Sequence, residues 1–309
     1  MLWLCLHFPK LPLEALIPKP SFGDANLRVV IEASRVVTCD DEVEALGVTT
    51  GLKQSTVSGL LSGHPLQLLS RDREKEHQAL KRLRQWAYSI TPTLSLWRDD
   101  CLQLEISRCL LVHGGLEALL KKIAIEFDQR GFSVFAGVGP SRESAWLMSQ
   151  FNRASVASIA DQGLPLESQL SPIPLSYLDE FPKDTAALAK AGIRTFKELL
   201  TLPSTSVKQR CSHEFSSWID RLLCRVEVAL EDFQPDPEYN DIAWLGYGSK
   251  NNQELIPAME ALLEKLSLFL RHTQLETPQL RWVFIPTQGQ HTALDLSLIH
   301  ISEPTRPFH

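Results

Sequence analysis

The chain has 309 residues, 44% of them hydrophobic, and a net charge of −6 at neutral pH, a length that predicts two to three domains of roughly 100–200 residues each. The acidic balance argues against a protein that coats nucleic acid over its whole surface, while leaving room for a local basic face. No run of about 18 apolar residues exists, so no membrane-spanning helix is expected.

The apolar start, MLWLCLHFPKLPLEAL, lacks the basic region and small-residue cleavage site of a signal peptide. It reads instead as a first strand, Trp3–His7, closed by Pro9 and Pro12. Arg28–Glu32 is a second short strand and Arg35–Thr38 a third. Val43–Leu61 carries helical segments separated at Gly47–Gly51. Arg71–Ile90 is a long helix with Leu80, Leu83, Ala87 and Ile90 as its apolar stripe, opposite Arg73, Lys81 and Arg84. A hairpin follows, Thr93–Trp97 and Cys101–Ser107 joined by Arg98-Asp99-Asp100, with Leu102, Leu104 and Ile106 alternating as in a half-buried strand. Gly115–Arg130 is a helix. It leads to a buried strand, Phe132–Ala136, ended by Gly137 and Gly139, and then to a helix opened by Ser141 with Glu143 in its first turn. The helix start has no Gly-Lys-Ser/Thr, which argues against a phosphate-cradling Walker loop.

Ser155–Ser171 reads as a linker, and Pro174–Arg225 is helical throughout, with a tight turn at Gly192 and a break at Pro203. Glu231–Asp241 is a second, acidic linker. Ile242–Gly248 and Gln279–Pro286 are strand candidates around the amphipathic helix Gln253–Thr273. The six cysteines (Cys5, Cys39, Cys101, Cys109, Cys211, Cys224) form no Cys-x-x-Cys and no zinc spacing with histidine, so a reduced, cytoplasmic protein is the simplest account. Leu296–Arg306, LSLIHISEPTR, reads as one translation frame of a common sequencing adapter. Residues 296–309 are therefore expected to be a library artefact, with the natural protein continuing beyond Asp295.

The order of elements up to the Ser141 helix is that of a ferredoxin-like sheet with an insert after its first strand. Together with the strings LGVTTGLKQSTVSGLL (Leu46–Leu61), Thr93–Ser107 and AGVGPSRESAWLMSQFN (Ala136–Asn152), it resembles the Y-family translesion DNA polymerases. The resemblance implies an α+β, right-hand polymerase architecture. Residues 1–20 and 76–160 would be the palm, 21–75 the fingers, 167–232 an all-α thumb and 233–295 a truncated α/β little finger.

Polymerisation in that family needs two divalent cations clamped by carboxylates. The resemblance puts His7 at the first-strand Asp position, with Pro9 at the following acidic one, and Trp97 and Arg98 at the hairpin Asp-Glu pair. None of these side chains suits magnesium. The fingers Tyr and Arg that hold the incoming triphosphate fall on Asp41 and Glu44, and the palm Lys falls on Trp146; carboxylates there would repel a polyanion. This pattern resembles the ImuB subgroup, which lacks the catalytic acids. It implies no catalytic residues, no cofactor and no bound metal, and a place in a damage-induced mutagenesis complex with a sliding clamp, an ImuA-like protein of RecA fold and a DnaE-type polymerase. The alternative is an active low-fidelity polymerase in a shifted register that uses Asp99, Asp100 and Glu105 with Mg²⁺. Asp99-Asp100 is also what a tight turn prefers; for His7 the two readings are a satisfied strand-end histidine, which is favoured, and a lone metal ligand.

DNA contacts are expected, weakly, from Lys183, Lys190, Arg194 and Lys250. Pro172–Val226 holds eight cations (Lys183, Lys190, Arg194, Lys197, Lys208, Arg210, Arg221, Arg225) against six acids. Glu180-Phe181-Pro182 stands where the family's thumb hairpin has Gly-x-Gly, which weakens a backbone phosphate contact there.

Overall fold

The computed structural model describes residues 1–17, 27–152, 165–226, 239–243, 245, 252–273, 275–286 and 292–298. The chain divides into two compact units, Met1–Phe233 and Gln234–His309.

The first unit is built on a four-stranded antiparallel sheet of β1 (Trp3–His7), β5 (Leu94–Trp97), β6 (Cys101–Glu105) and β7 (Phe135–Gly139), in the order β5-β6-β1-β7. This is the split βαβ order expected from the sequence. Alternation sorts β1 onto two cores. Leu4, Leu6 and Phe8 join the face covered by α4 (Arg73–Tyr88) and α5 (Leu116–Arg130). Trp3 and Cys5 join the opposite face, packed under α6 (Arg142–Asn152) and the helices beyond it. The expected α4 stripe of Leu80, Leu83, Ala87 and Ile90 is buried as a unit.

A second sheet orders β3 (Arg35–Cys39), β2 (Leu27–Glu32) and β4 (Leu66–Ser70) around its own small core of Val29, Val43, Val48 and Val57. Two short helices, α2 (Asp41–Ala45) and α3 (Gln54–Leu60), fill the expected helical insert, and the four-residue α1 (Leu11–Glu14) follows β1. Strand β4 pairs parallel with β2; its Leu-Gln-Leu-Leu-Ser string carries no alternation, which is why the sequence reading passed over it. Helices α7 (Leu166–Leu170), α8 (Pro182–Lys190), α9 (Phe196–Leu200), α10 (Ser204–Arg210) and α11 (His213–Leu222) complete the unit. A capping box between Thr195 and Glu198 starts α9, because each side chain satisfies an amide that the helix end leaves open.

Four expectations are corrected. β6 is buried on both faces rather than half-buried, since α6 covers the side on which Cys101 and Gln103 lie. The strand expected at Phe132–Ala136 runs three residues later, so Gly137 and Gly139 belong to β7 and not to the turn after it. They lie where β7 meets α6: a Cβ on Gly137 would overlap the Ala145 carbonyl and the Ser149 amide, and one on Gly139 would overlap the Ser144 hydroxyl. Close backbone approach explains both glycines. The stretch taken as a linker ends in a helix, Leu166–Leu170, with its earlier part outside the described residues. The strand expected at Ile242–Gly248 has no strand geometry at residues 242, 243 and 245 and otherwise lies outside the described residues, as does most of the second linker.

The second unit contains α12 (Asn252–Thr273) and an antiparallel pair, β8 (Gln279–Phe284) with β9 (Thr292–Ser297). An Arg281–Asp295 fork crosses the pair. Strand β9 was not expected, and its last two residues are the first two of the adapter-like string.

Candidate functional site at the end of the first strand

The β1–β6 register places His7 opposite Cys101, and the Phe8 amide donates to the Asp100 carbonyl at 2.9 Å. These main-chain links bring His7 to Asp100 and Cys101, which are 93 and 94 residues further along the chain. His7 Nε2 lies 3.4 Å from Asp100 Oδ2, and the Cys101 thiol donates to Asp100 Oδ1 at 3.1 Å. One donor atom from each of the three falls within 4.8 Å of the others. His7 Nδ1 is buried without a partner, so the histidine is not the fully satisfied strand-end residue that the sequence allowed. Burial alone would raise the Asp100 carboxyl, but His7, together with the Cys101 hydrogen bond and the Arg98 charge, outweighs it and holds Asp100 below the usual carboxylate range. Burial pushes the Cys101 thiol strongly up, helped by the neighbouring Cys5 thiol.

Asp99 and Asp100 do occupy the hairpin turn, as expected, with Asp99 exposed. Glu105 is four residues along β6 from Cys101, about 13 Å at the strand rise. It is buried there, accepting from the Leu2 amide (3.3 Å) and from the Ser107 amide and hydroxyl. The fold therefore does not bring Glu105 to Asp100.

Trp97 is the cross-strand partner of Cys101, and the Arg98 side chain is engaged elsewhere. Arg98 sits in the left-handed region (φ 58°), lies 4.2 Å over the Trp146 ring, and forks onto Asp179 and Glu180 at 2.7–3.3 Å. Burial opposes its charge, but these two acids more than compensate and raise its pKa. Trp146 is buried beside Trp218, so the position read as a phosphate-binding lysine is core. Arg98→Ala is expected to cost about 1–2 kcal/mol by losing this fork and stacking while keeping an L residue at positive φ. Urea unfolding checks it, and an unchanged midpoint would mean that the fork contributes nothing.

Asp41 pairs with Lys10, and Glu44 is exposed. Two further cations have partners that the sequence did not signal. Arg142 lies over the rings of Trp97 (5.2 Å) and Trp3 (5.6 Å) and donates to Gln103 and Ser95. Arg221 donates to the buried Glu143 at 2.7 Å. Glu143 looked like an ordinary first-turn acid, and nothing local signals a partner 78 residues away.

Of the expected DNA contacts, Lys183, Lys190 and Arg194 are all exposed. Lys190 and Arg194 bracket the α8–α9 turn, while Lys183 lies at the other end of α8, about 10 Å away at the helix rise. Lys208 and Arg225 instead pair with Asp220. Lys250 lies outside the described residues.

No family model and no curated protein matches the chain. Among solved structures it is similar to an insertion ternary complex of Dbh DNA polymerase, at 13% identity and TM-score 0.55, with 97% of this chain and 88% of that chain covered. A post-insertion binary complex of Dbh matches over the same shares at 13% identity and TM-score 0.57. DinB from Sulfolobus solfataricus does so at 12% identity and TM-score 0.55. A Dbh-based chimera described as a Y-family DNA polymerase is among the similar structures. The likeness is one of fold, a mixed α+β architecture shared with Y-family DNA polymerases. At the end of β1 the fold gathers one carboxylate, an imidazole and a thiol, whereas hard cations such as magnesium are held by several anionic oxygens. Among the described residues, no helix is long and apolar enough to cross a membrane.

Proposed function

We propose that this chain is a non-catalytic, Y-family-like subunit of a damage-induced translesion synthesis complex, belonging with the ImuB subgroup and working in the cytoplasm. The observation that carries this reading is the donor set at the end of β1. Among the described residues, only Asp100 supplies a carboxylate there, while Glu105 is held by Leu2 and Ser107 at the other end of β6. A fold that keeps the polymerase architecture but not its cation clamp retains what such a fold can still offer, a surface for DNA and for partners. The partners proposed from the resemblance are a sliding clamp, an ImuA-like protein of RecA fold and a DnaE-type polymerase that performs synthesis.

One observation favours the alternative of an active, low-fidelity polymerase: Asp100 does reach the end of β1 beside His7. Primer extension with Mg²⁺ or Mn²⁺ separates the two readings. No template-directed incorporation is expected; incorporation abolished by Asp100→Ala would end the scaffold reading.

DNA binding is expected to be weak and salt-dependent, because exposed lysines and arginines act by releasing counterions. Lys190→Glu with Arg194→Glu is expected to weaken primer–template binding at least several-fold at low salt and to flatten its salt dependence. Fluorescence anisotropy across a salt series reads both effects; tight binding indifferent to salt would contradict the assignment.

A further inference from the structure

We propose that His7, Asp100 and Cys101 form a binding site for one borderline transition-metal cation of the Zn²⁺ class. The inference goes beyond the scaffold reading, which assigns no ion to this pocket. Three observations carry it.

The first is donor chemistry. Imidazole nitrogen, carboxylate oxygen and cysteine sulfur are the three ligand types that zinc and its neighbours accept together, and a thiol is a poor ligand for magnesium. The second is spacing. Ligand bonds of about 2.0–2.3 Å in a tetrahedral site put the donor atoms about 3.3–3.8 Å apart. His7 Nε2 is 3.4 Å from Asp100 Oδ2 and Cys101 Sγ is 3.1 Å from Asp100 Oδ1, the other oxygen of the same carboxylate, and one donor atom of each residue lies within 4.8 Å of the others. A shared cation would draw donors already within 4.8 Å to the tetrahedral spacing.

The third is rigidity. His7 and Cys101 are cross-strand partners, and the Asp100 carbonyl is tied to the Phe8 amide, so the main chain presents all three donors without a folding step at the moment of binding. The Asp100 side chain is 45% exposed, while the His7 side chain is 13% exposed and Cys101 is buried, so the site meets solvent at its carboxylate. The His7 ring also packs 6.3 Å from Phe135, an apolar wall that limits its movement. Binding is a simple exchange: the Cys101 S–H bond breaks, the sulfur pair forms the metal bond, and the proton leaves to solvent.

The test uses the full chain, stripped of metal under reducing conditions and titrated with Co²⁺ alone. A thiolate-to-cobalt charge-transfer band is expected to saturate at one equivalent, to be bleached by Zn²⁺ and to resist excess Mg²⁺. Cys101→Ser is expected to abolish the band. Asp100→Asn, in a half-exposed turn, is expected to weaken cobalt binding by about 10-fold or more. Cys224→Ser, at an exposed cysteine distant in sequence, is expected to leave binding unchanged. Absence of the band, its survival in Cys101→Ser, or unaltered affinity in Asp100→Asn would each overturn the site. Because the readout is spectroscopic, its failure leaves the primer-extension result untouched, and the reverse also holds.

Discussion

Replacing Gly137 with Ala is expected to destabilise the first unit by at least about 3 kcal/mol, read from the urea midpoint. The added methyl would overlap three backbone atoms of α6, the Ala145 carbonyl oxygen, the Ser149 amide nitrogen and the Met148 carbonyl carbon. None of them can swing aside as a side chain could, so the whole helix must lift from β7. That movement would disturb Ala145, Leu147 and Met148 in the core beneath, and Ser141, whose hydroxyl donates to the Leu222 carbonyl at 2.9 Å. Gly59 provides the contrast. It lies within α3 with open space around its Cα, so Gly59→Ala is expected to stabilise by about 0.5–1 kcal/mol through helix propensity. A Gly137→Ala protein as stable as the parent would mean that α6 and β7 are not packed this closely.

The second large effect is a pH dependence centred on Glu14, the last residue of α1. Burial lifts its pKa from 4.5 to about 7, against the opposing pull of Ser133 and Lys10. One oxygen accepts the Ser133 amide at 2.9 Å, while the other is buried without a partner. Because the folded-state value is the higher one, the native state holds its proton more tightly than the unfolded chain. The stabilising contribution is therefore whole below about pH 4.5 and is lost as pH rises through about 7, an order-of-magnitude change of about 3 kcal/mol. Glu14→Gln removes the ionisation while keeping an acceptor for Ser133. The difference in unfolding free energy between the variant and the parent is expected to grow in the variant's favour from pH 5 to pH 8. A difference that stays constant across that window would refute the assignment.

Both effects arise where a residue that looks ordinary in sequence is met by another segment. The same holds for the site at the end of β1. The cysteines looked scattered because cross-strand neighbours are set by register, and register is a property of two segments at once. The turn reading of Asp99-Asp100 was sound, yet it concealed that one of the two carboxylates turns towards His7. Lys190 and Arg194 were visible as local sequence, because they stand four residues apart on either side of the tight turn at Gly192 (φ 86°).

What the amino-acid order determined by itself was local. The apolar stripe of α4, the extents of β1 and α5, and the hairpin of β5 and β6 follow from periodicities and turn preferences that act over a few residues. The overall order of elements was legible for the same reason, as a list of local decisions strung together. Only tertiary structure decided which faces were covered, so that β6 became buried on both sides and β4 found a parallel partner without any alternation of its own. It also decided that His7, Asp100 and Cys101 meet, that Arg98 is spent on Asp179 and Glu180, and that Glu14 loses its water. Desolvation and charge pairing depend on what arrives from elsewhere in the chain, and no window of neighbouring residues contains that information.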